Sequence, residues 1–380
     1  MMETNYRICS RCVMDTSDSQ IKFNKDGICN HCTEYFSLVT ANQEQHDSNT
    51  EKFAGILDTI KKVGKDHEYD CIIGISGGVD STYLAYLVKQ EFGLRPYAVH
   101  LDNGWNSKLA VKNIRNILKR LEIDLYTHVI DWEEFKSLQK AYFAASVIDI
   151  EAITDHSINA VLYQVAAENN VKYILKGFNN ATEKIMPKSW TFNKRDAINI
   201  QDINDKYGTI KLSSFPLMSN EKLNDYEKSM KIQTISPFNY IKFDKDAAKK
   251  LIIDELGWVD YGGKHYESIF TRFYQGYILP RKFSVDKRKA HYSNLICAGV
   301  MARKDALEEI KQAPYDEEMI KEDYEYVTKK LEYSKEEFES ILKAPVKSHF
   351  NYKTDLNSKI FKKYISPTNP IVSMIKKLRK

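Results

Sequence analysis

Four of the six cysteines fall in one short stretch, Cys9-x2-Cys12, then sixteen residues, then Cys29-x2-Cys32. Two thiolate pairs at that spacing close one tetrahedral site, and four soft ligands suit Zn2+. Such a site leaves no open position for water, so the metal is expected to be structural, folding a module too poor in apolar residues to hold itself together. His31, between two of the ligands, reads as a bystander. The second constellation is Ser76-Gly77-Gly78-Val79-Asp80-Ser81, between the apolar run Ile72-Ile73-Gly74-Ile75 and a helical pattern with Leu84, Leu87, Val88 and Phe92 on one face. A glycine-rich turn from a buried strand into a helix aims backbone N–H groups at an anion, which makes it a phosphate site. The Lys-Ser/Thr ending of a Walker A loop is absent, so γ-phosphate hydrolysis of that kind is disfavoured.

A third group is basic: Lys264, His265, Arg272, Arg281, Lys282, Lys287, Arg288 and His291 crowd one stretch. Forked and point-charge donors of this kind satisfy the oxygens of a diphosphate or a carboxylate, although each residue alone also reads as a surface charge. Asp155, in Thr154-Asp155-His156 before a helix, is either an N-cap or a ligand. Cys71 lies in a core strand and Cys297 in the apolar run from Leu295 to Met301, so both read as buried thiols without the His and acid partners a cysteine nucleophile needs.

These residues need elements to hold them. A chain of 380 residues suggests two or three folding units. From about residue 51 the pattern alternates. A helix from Phe53 to Val63 precedes strands at Tyr69–Ile75, Pro96–Leu101, Leu125–Ile130 and Lys172–Leu175. Helices over Ser81–Phe92, Lys108–Leu121 and Ser157–Asn169 separate them, and repeated βα units predict a parallel sheet with helices on both faces. Beyond Ser214 strand signals fade into a helical, aromatic and charged region, with helices predicted at Phe243–Gly257 and after a capping box at Ser334-Lys335-Glu336-Glu337. The polar run Thr40–Thr50 reads as a linker, and the stretch after Asp355 as a basic, solvated tail. With no run of ~20 apolar residues and no signal-peptide layout, the expectation is neither membrane insertion nor secretion. A formal charge of +4 prompts no nucleic-acid partner. Unpaired, clustered cysteines fit a reducing cytoplasm.

The Ser-Gly-Gly-Val-Asp-Ser sequence resembles the pyrophosphate loop of the PP-loop ATP pyrophosphatases, which adenylate a carbonyl oxygen and let a nucleophile displace AMP. That resemblance implies that Ser76, Gly77, Gly78 and Ser81 bind phosphate oxygens of ATP, that Asp80 acts through Mg2+, and that Asp102 and Asn103 grip the nucleotide. Gly177-Phe178-Asn179-Asn180-Ala181-Thr182-Glu183 resembles the Gly-x-x-x-Ala-x-Glu element of NAD synthetases. By that likeness Gly177 lies on the nucleotide and Glu183 is a second Mg2+ ligand.

A resemblance over nearly the whole chain is to the N-acetyl sugar amidotransferases of bacterial surface-polysaccharide and nonulosonic-acid biosynthesis, the WbpG and PseA group. It rests on the cysteine head with Arg11-Cys12-Val13-Met14-Asp15-Thr16, the loop with His100-Leu101-Asp102-Asn103-Gly104-Trp105, and the stretch from Gly257-Trp258 through Lys264-His265-Tyr266-Glu267-Ser268 to Lys282–Arg288. It implies an α/β, HUP-like ATP pyrophosphatase domain with an N-terminal zinc-ribbon-like module and a mostly α C-terminal region. The expected divisions are 1–45 for the zinc module and linker, 46–214 for the pyrophosphatase domain, 215–345 for a helical substrate or partner domain, and 346–380 for the tail. The reaction implied is conversion of an acetamido group of an N-acetyl sugar or nucleotide sugar to acetamidino. Asp80, Ser81 and Glu183 would be catalytic, with Asp155, His156, Asn180, Lys264, His265, Arg272, Lys282 and Arg288 toward the sugar. Ammonia would come from a separate HisH-like glutaminase, with or without a HisF-like subunit. Two alternatives stand beside this one: a tRNA thiolation enzyme of the same superfamily, and a non-catalytic zinc-ribbon binding module.

Overall fold

The computed structural model describes residues 6–43, 46–263 and 266–357. Of the tail expected at 346–380, residues 358–380 lie outside the described residues, as do Lys264 and His265, while residues 346–357 are described and bury His349 and Tyr352. The head, with isolated antiparallel bridges Ile8↔Asp15 and Phe23↔Cys29, leads into helices α1 (Asn30–Gln43) and α2 (His46–Gly64). The polar run expected as a linker is thus helical wherever it is described. Then come β1 (Cys71–Gly74), α3 (Val79–Tyr86), β2 (Pro96–Asp102), α4 (Lys108–Leu121), β3 (Asp124–Val129), α5 (Trp132–Ala145), α6 (Ala152–Glu168), β4 (Tyr173–Leu175) and α7 (Asn180–Glu183). The helix after the loop was expected to run to Phe92; a wide π-type turn over Leu87–Glu91 carries it on from Tyr86.

Next are α8 (Ala197–Tyr207), α9 (Asn220–Asn224) and β5 (Gln233–Ile235), the last a strand that the sequence pattern does not announce. It is three residues long, with two of them exposed, too short to display a period. All strand pairs are parallel, in the order β3-β2-β1-β4-β5. The chain builds outward from β1 in one direction and returns through β4 to build the other, so the reversal falls between β1 and β4. In open α/β sheets the crevice beyond the strand ends at such a reversal is where ligands bind.

The remainder is helical: α10 (Lys245–Leu256), α11 (Ile269–Phe273), α12 (Leu279–Phe283), α13 (Lys287–Cys297), α14 (Arg303–Lys311), α15 (Glu317–Lys330) and α16 (Lys335–Lys343). The predicted capping box opens α16, with Ser334 and Glu337 bonding each other's backbone N–H. The cysteine head packs on this region rather than standing apart. Val13 N–H donates to Ser293 Oγ at 3.2 Å, Lys289 pairs with buried Asp15, and Arg303 donates to the carbonyls of Cys12 and Cys9 at 2.9 and 2.8 Å. Among the described residues no helix is long and apolar enough to cross a membrane.

Candidate active site and metal centre

The loop after β1 is shaped by two constraints. Gly77 sits at φ +83°, and a Cβ there would lie 2.8 Å from the Ala110 carbonyl oxygen of α4, so only glycine fits. Trp258, almost fully buried, donates its indole N–H to the Gly77 carbonyl at 2.8 Å and pins the loop to the helical region. Gly78 caps α3 without a side-chain bond, which leaves that helix N-terminus to an incoming anion. Ser81 Oγ lies 3.2 Å from Ser76 Oγ and accepts the Ser76 N–H at 3.2 Å, so the two hydroxyls stand together at the cavity wall.

Asp80, in the first turn of α3, has one carboxylate oxygen 3.3 Å from Lys245 Nζ. Its other oxygen, Oδ1, is buried without a hydrogen-bond partner. A desolvated carboxylate oxygen left unsatisfied is costly and fits a cation. Gly177 brings the β4 loop against this turn: a Cβ on Gly177 would stand 3.1 Å from the Asp80 carbonyl oxygen. Glu183, at the end of α7, lines the cavity that Ser76, Ser81 and Gly177 border, with its Oε2 3.4 Å from the Asn179 N–H, and Asp80 stands just behind that wall.

On the β2 side, Asn103 lines the cavity and bonds Thr154 Oγ1 through its amide at 3.4 Å. Asp102 instead holds its own loop, accepting from Gly104 N–H at 2.9 Å and Asn106 Nδ2 at 3.2 Å. Asn106 also donates to His100 Nε2 at 3.2 Å, so the His100 Nδ1–H donates to Ile75 O at 2.9 Å. Burial pushes the His100 pKa down, which keeps the ring neutral.

One cavity of about 1110 Å3 runs from Ser76 and Ser81 to Tyr266, Glu267 and the α13 residues Lys287, Arg288 and His291. That exceeds the ~300–1,000 Å3 of ordinary ligand pockets. The segment after residue 266 is stitched to the β2 loop by Ser107 N–H to Glu267 O at 2.8 Å and Ile269 N–H to Trp105 O at 2.9 Å.

Several sugar-side expectations are corrected. His156 is buried, donates from Nδ1 to Lys194 O at 2.8 Å and accepts the Met218 N–H on Nε2 at 2.9 Å, so both ring nitrogens are committed to the backbone and it does not line the cavity. Lys282 turns the other way and caps α16, donating to Ile341 O at 2.6 Å and Ala344 O at 3.0 Å. Asn180 is outside the cavity wall, its N–H on Asn239 Oδ1 at 2.8 Å. Arg272 and Arg288 do line the cavity, but Arg272 is forked onto Asp323 at 2.6 Å. Arg288 is held by Asp286 at 2.7 Å and by carbonyls of the segment after α14, including Gln312 O at 3.0 Å. Asp155 lies in the first turn of α6, past its Glu151 cap, and lines the cavity 3.3 Å from Lys194. The sequence reading missed Glu151, which binds Thr271 Oγ1 at 2.6 Å, and Lys176. Neither carries a sequence signal, since their neighbours are remote in the chain.

The four cysteine sulfurs lie within 4.8 Å of one another, with Cys9–Cys32 at 3.9 Å and Cys12–Cys29 at 3.7 Å. Sulfurs about 2.3 Å from a tetrahedral zinc stand roughly 3.8 Å apart, so the group fits that ion. The N–H groups of Cys29, Arg11 and Cys12 point at Cys9 Sγ at 3.2, 3.4 and 3.5 Å, the donors a thiolate cluster requires. His31 turns to Asp18 at 2.7 Å and is no ligand of this group. Cys297, read from the sequence as a buried thiol, is buried and places its sulfur 3.8 Å from Cys32. Cys71 is fully buried in β1.

Comparison with known proteins gives two family matches. Residues 53–187 match the NAD synthase family, and residues 267–365 match the C-terminal domain of WbpG-like LPS biosynthesis proteins. An uncharacterized protein of Methanocaldococcus jannaschii is 35% identical over 119 residues, 31% of this chain and 40% of that protein. The glutamine-hydrolyzing GMP synthase of Chlorobium phaeobacteroides is 42% identical over 64 residues, 17% of this chain and 12% of that protein. The chain therefore spans less than half the length of the first relative and about an eighth of the second. Among solved structures, the NH3-dependent NAD synthetase of Campylobacter jejuni aligns over 75% of this chain and 94% of its own, at 14% identity and a TM-score of 0.29.

Proposed function

We propose that the chain, which matches the NAD synthase family over residues 53–187 and the WbpG-like C-terminal domain over residues 267–365, is a WbpG-like amidotransferase of the PP-loop ATP pyrophosphatase superfamily that converts the acetamido group of an N-acetyl sugar into an acetamidino group at the expense of ATP. The observation that carries this reading is the single cavity joining the Ser76–Ser81 loop to the WbpG-like segment from Glu267 onward. An acetamide carbon is a poor electrophile. Attack of its oxygen on the α-phosphorus of ATP releases pyrophosphate and turns that oxygen into part of an AMP leaving group. Ammonia then adds to the carbon, AMP departs with the oxygen, and one proton is lost to leave the amidine.

In this scheme Ser76, Ser81 and the α3 N-terminus hold the departing pyrophosphate, while Gly177 keeps the two loops in register. Asp80 and Glu183 would hold Mg2+, which supplies charge neutralisation at the phosphates when bound. Zn2+ at the four cysteines serves folding. Glu267, Lys287 and Asp155 form the sugar end, and Arg272 and Arg288, each already paired with an aspartate, brace its wall. None of the six cysteines lines the cavity, which disfavours sulfur transfer to tRNA and leaves ammonia to an external source, a HisH-like glutaminase. We place the reaction in the cytoplasm, where nucleotide sugars and reduced thiols coexist.

The test is product mass from purified protein with ATP, Mg2+, N-acetyl sugar candidates and either ammonium or glutamine. Amidination lowers the neutral mass by roughly one dalton and adds a strong base. Ammonium should support it and glutamine should not until the glutaminase is added; glutamine-driven turnover by the isolated chain overturns the two-component reading.

A further inference from the structure

Lys176 follows β4 directly and has no place in the scheme above. The β1–β4 register, Ile72↔Ile174 and Ile73↔Leu175, continues to set Lys176 beside Gly74, at the reversal of the sheet. Residues paired in this way share a face of the sheet. A Cβ on Gly74 would look at both Leu162 methyl carbons from 3.6 Å, so that face is the one covered by α6. Lys176 donates to Asn159 Oδ1 on that helix.

Beside it the cavity wall is apolar, made by Gly74, Val99, Leu101, Ile158 and Leu162, a slot suited to a purine ring. On its other side Gly177 abuts Asp80 and the phosphate loop. Lys176 therefore stands between the slot for a base and the loop for the outer phosphates.

Its electrostatics are incomplete. Among the described residues no carboxylate lies within 4.0 Å of its ammonium, and its hydrogen-bond acceptor is a neutral amide. Two other recessed lysines are matched by carboxylates, Lys194 by Asp149 and Asp155 and Lys289 by Asp15, and buried Lys282 is met by two backbone carbonyls. Burial, with Arg195 adding to it and Asp155 opposing, pulls the Lys176 pKa down to about 8. A recessed ammonium without a counter-charge is costly, and an anion delivered into the cavity turns that cost into a charge-assisted bond.

We propose that Lys176 binds the α-phosphate of the nucleotide, the phosphate that stays with AMP. The assignment rests on the ATP-dependent reading of this cavity and adds a residue to it.

The test uses calorimetry on the full chain with two probes, AMP and adenosine, which differ by that phosphate. Wild type should bind AMP more tightly than adenosine. Lys176→Met should cut the AMP-to-adenosine affinity ratio by about 10- to 100-fold, the range for a hydrogen bond to a charged group. Adenosine affinity should stay within about twofold, because the base slot is untouched. Lys176→Arg, which keeps the charge, should recover part of the ratio. Thermal shift gives a second measurement: AMP should raise the melting temperature of wild type more than that of Lys176→Met. An unchanged ratio in Lys176→Met, with adenosine still bound, overturns the assignment alone. Failure of wild type to bind either probe brings down the ATP-dependent reading with it.

Discussion

Gly177 and Asp80 meet so closely that a β-carbon on the first would press to 3.1 Å on the carbonyl oxygen of the second. That distance is tighter than ordinary packing, and both partners are backbone, so neither yields easily. Gly177→Ala should part the β4 loop from the phosphate loop by a few tenths of an ångström. We expect pyrophosphate release to fall about tenfold or more, with roughly 1 kcal/mol lost from stability, as overpacking of a tight contact predicts. A wild-type rate in Gly177→Ala would show that the loops need not touch.

Asp80 Oδ1 is buried and unsatisfied, so its removal should harm chemistry and spare the fold. Asp80→Ala should lower formation of AMP and pyrophosphate by about 100-fold or more while the melting temperature does not drop. Glu183→Ala should act in the same direction. Detection of ADP as the nucleotide product would contradict adenylation altogether.

Metal analysis should find about one zinc per chain in protein prepared without chelators. Cys29→Ser should lose the metal and much of its solubility. Cys297→Ser should keep the metal, because Cys297 is not one of the four sulfurs that lie mutually within 4.8 Å. Zinc loss in that variant would bring the fifth thiol into the coordination sphere.

His349 gives a pH test. Its ring stacks on Phe192 at 4.1 Å, and burial, with Lys194 adding and Asp149 opposing, lowers its pKa from 6.5 to about 4. Between those values the unfolded chain takes up a proton that the folded one refuses. Stability should therefore fall as pH drops through 6.5, with the loss complete near 4, amounting to about 3 kcal/mol at most. Denaturant titrations of wild type and His349→Gln across this range should differ in slope; parallel curves would remove His349 as the cause.

What the sequence disclosed were the local patterns. Lys108–Leu121 is a helix over the residues its periodicity predicts, and the glycine loop and cysteine pairs announce themselves because their chemistry depends on near neighbours. Charge was legible but neutralisation was not. Arg272 reads as an anion donor until Asp323, 51 positions on, is seen to fork with it. Lys282 reads the same way until its carbonyl partners on α16 come into view. His156 was visible as a polar residue near a helix start, yet the Met218 N–H that occupies its ring is 62 residues away. Lys176 follows a short apolar strand, and nothing in its flanks marks Asn159 of α6 as the acceptor of its ammonium.

The bonds from Arg303 to the head span 291 and 294 positions of chain. At ~5–20 residues per second of synthesis, the cysteine knuckles wait roughly 15–60 s after leaving the ribosome before the helix they dock on exists. During that interval buried faces of the head, Val13 and Met14 among them, have nothing to cover them. Early capture of the ion would hold the knuckles in shape through the wait, so zinc starvation should show first as aggregation of nascent chains and only afterwards as a deficit in finished enzyme.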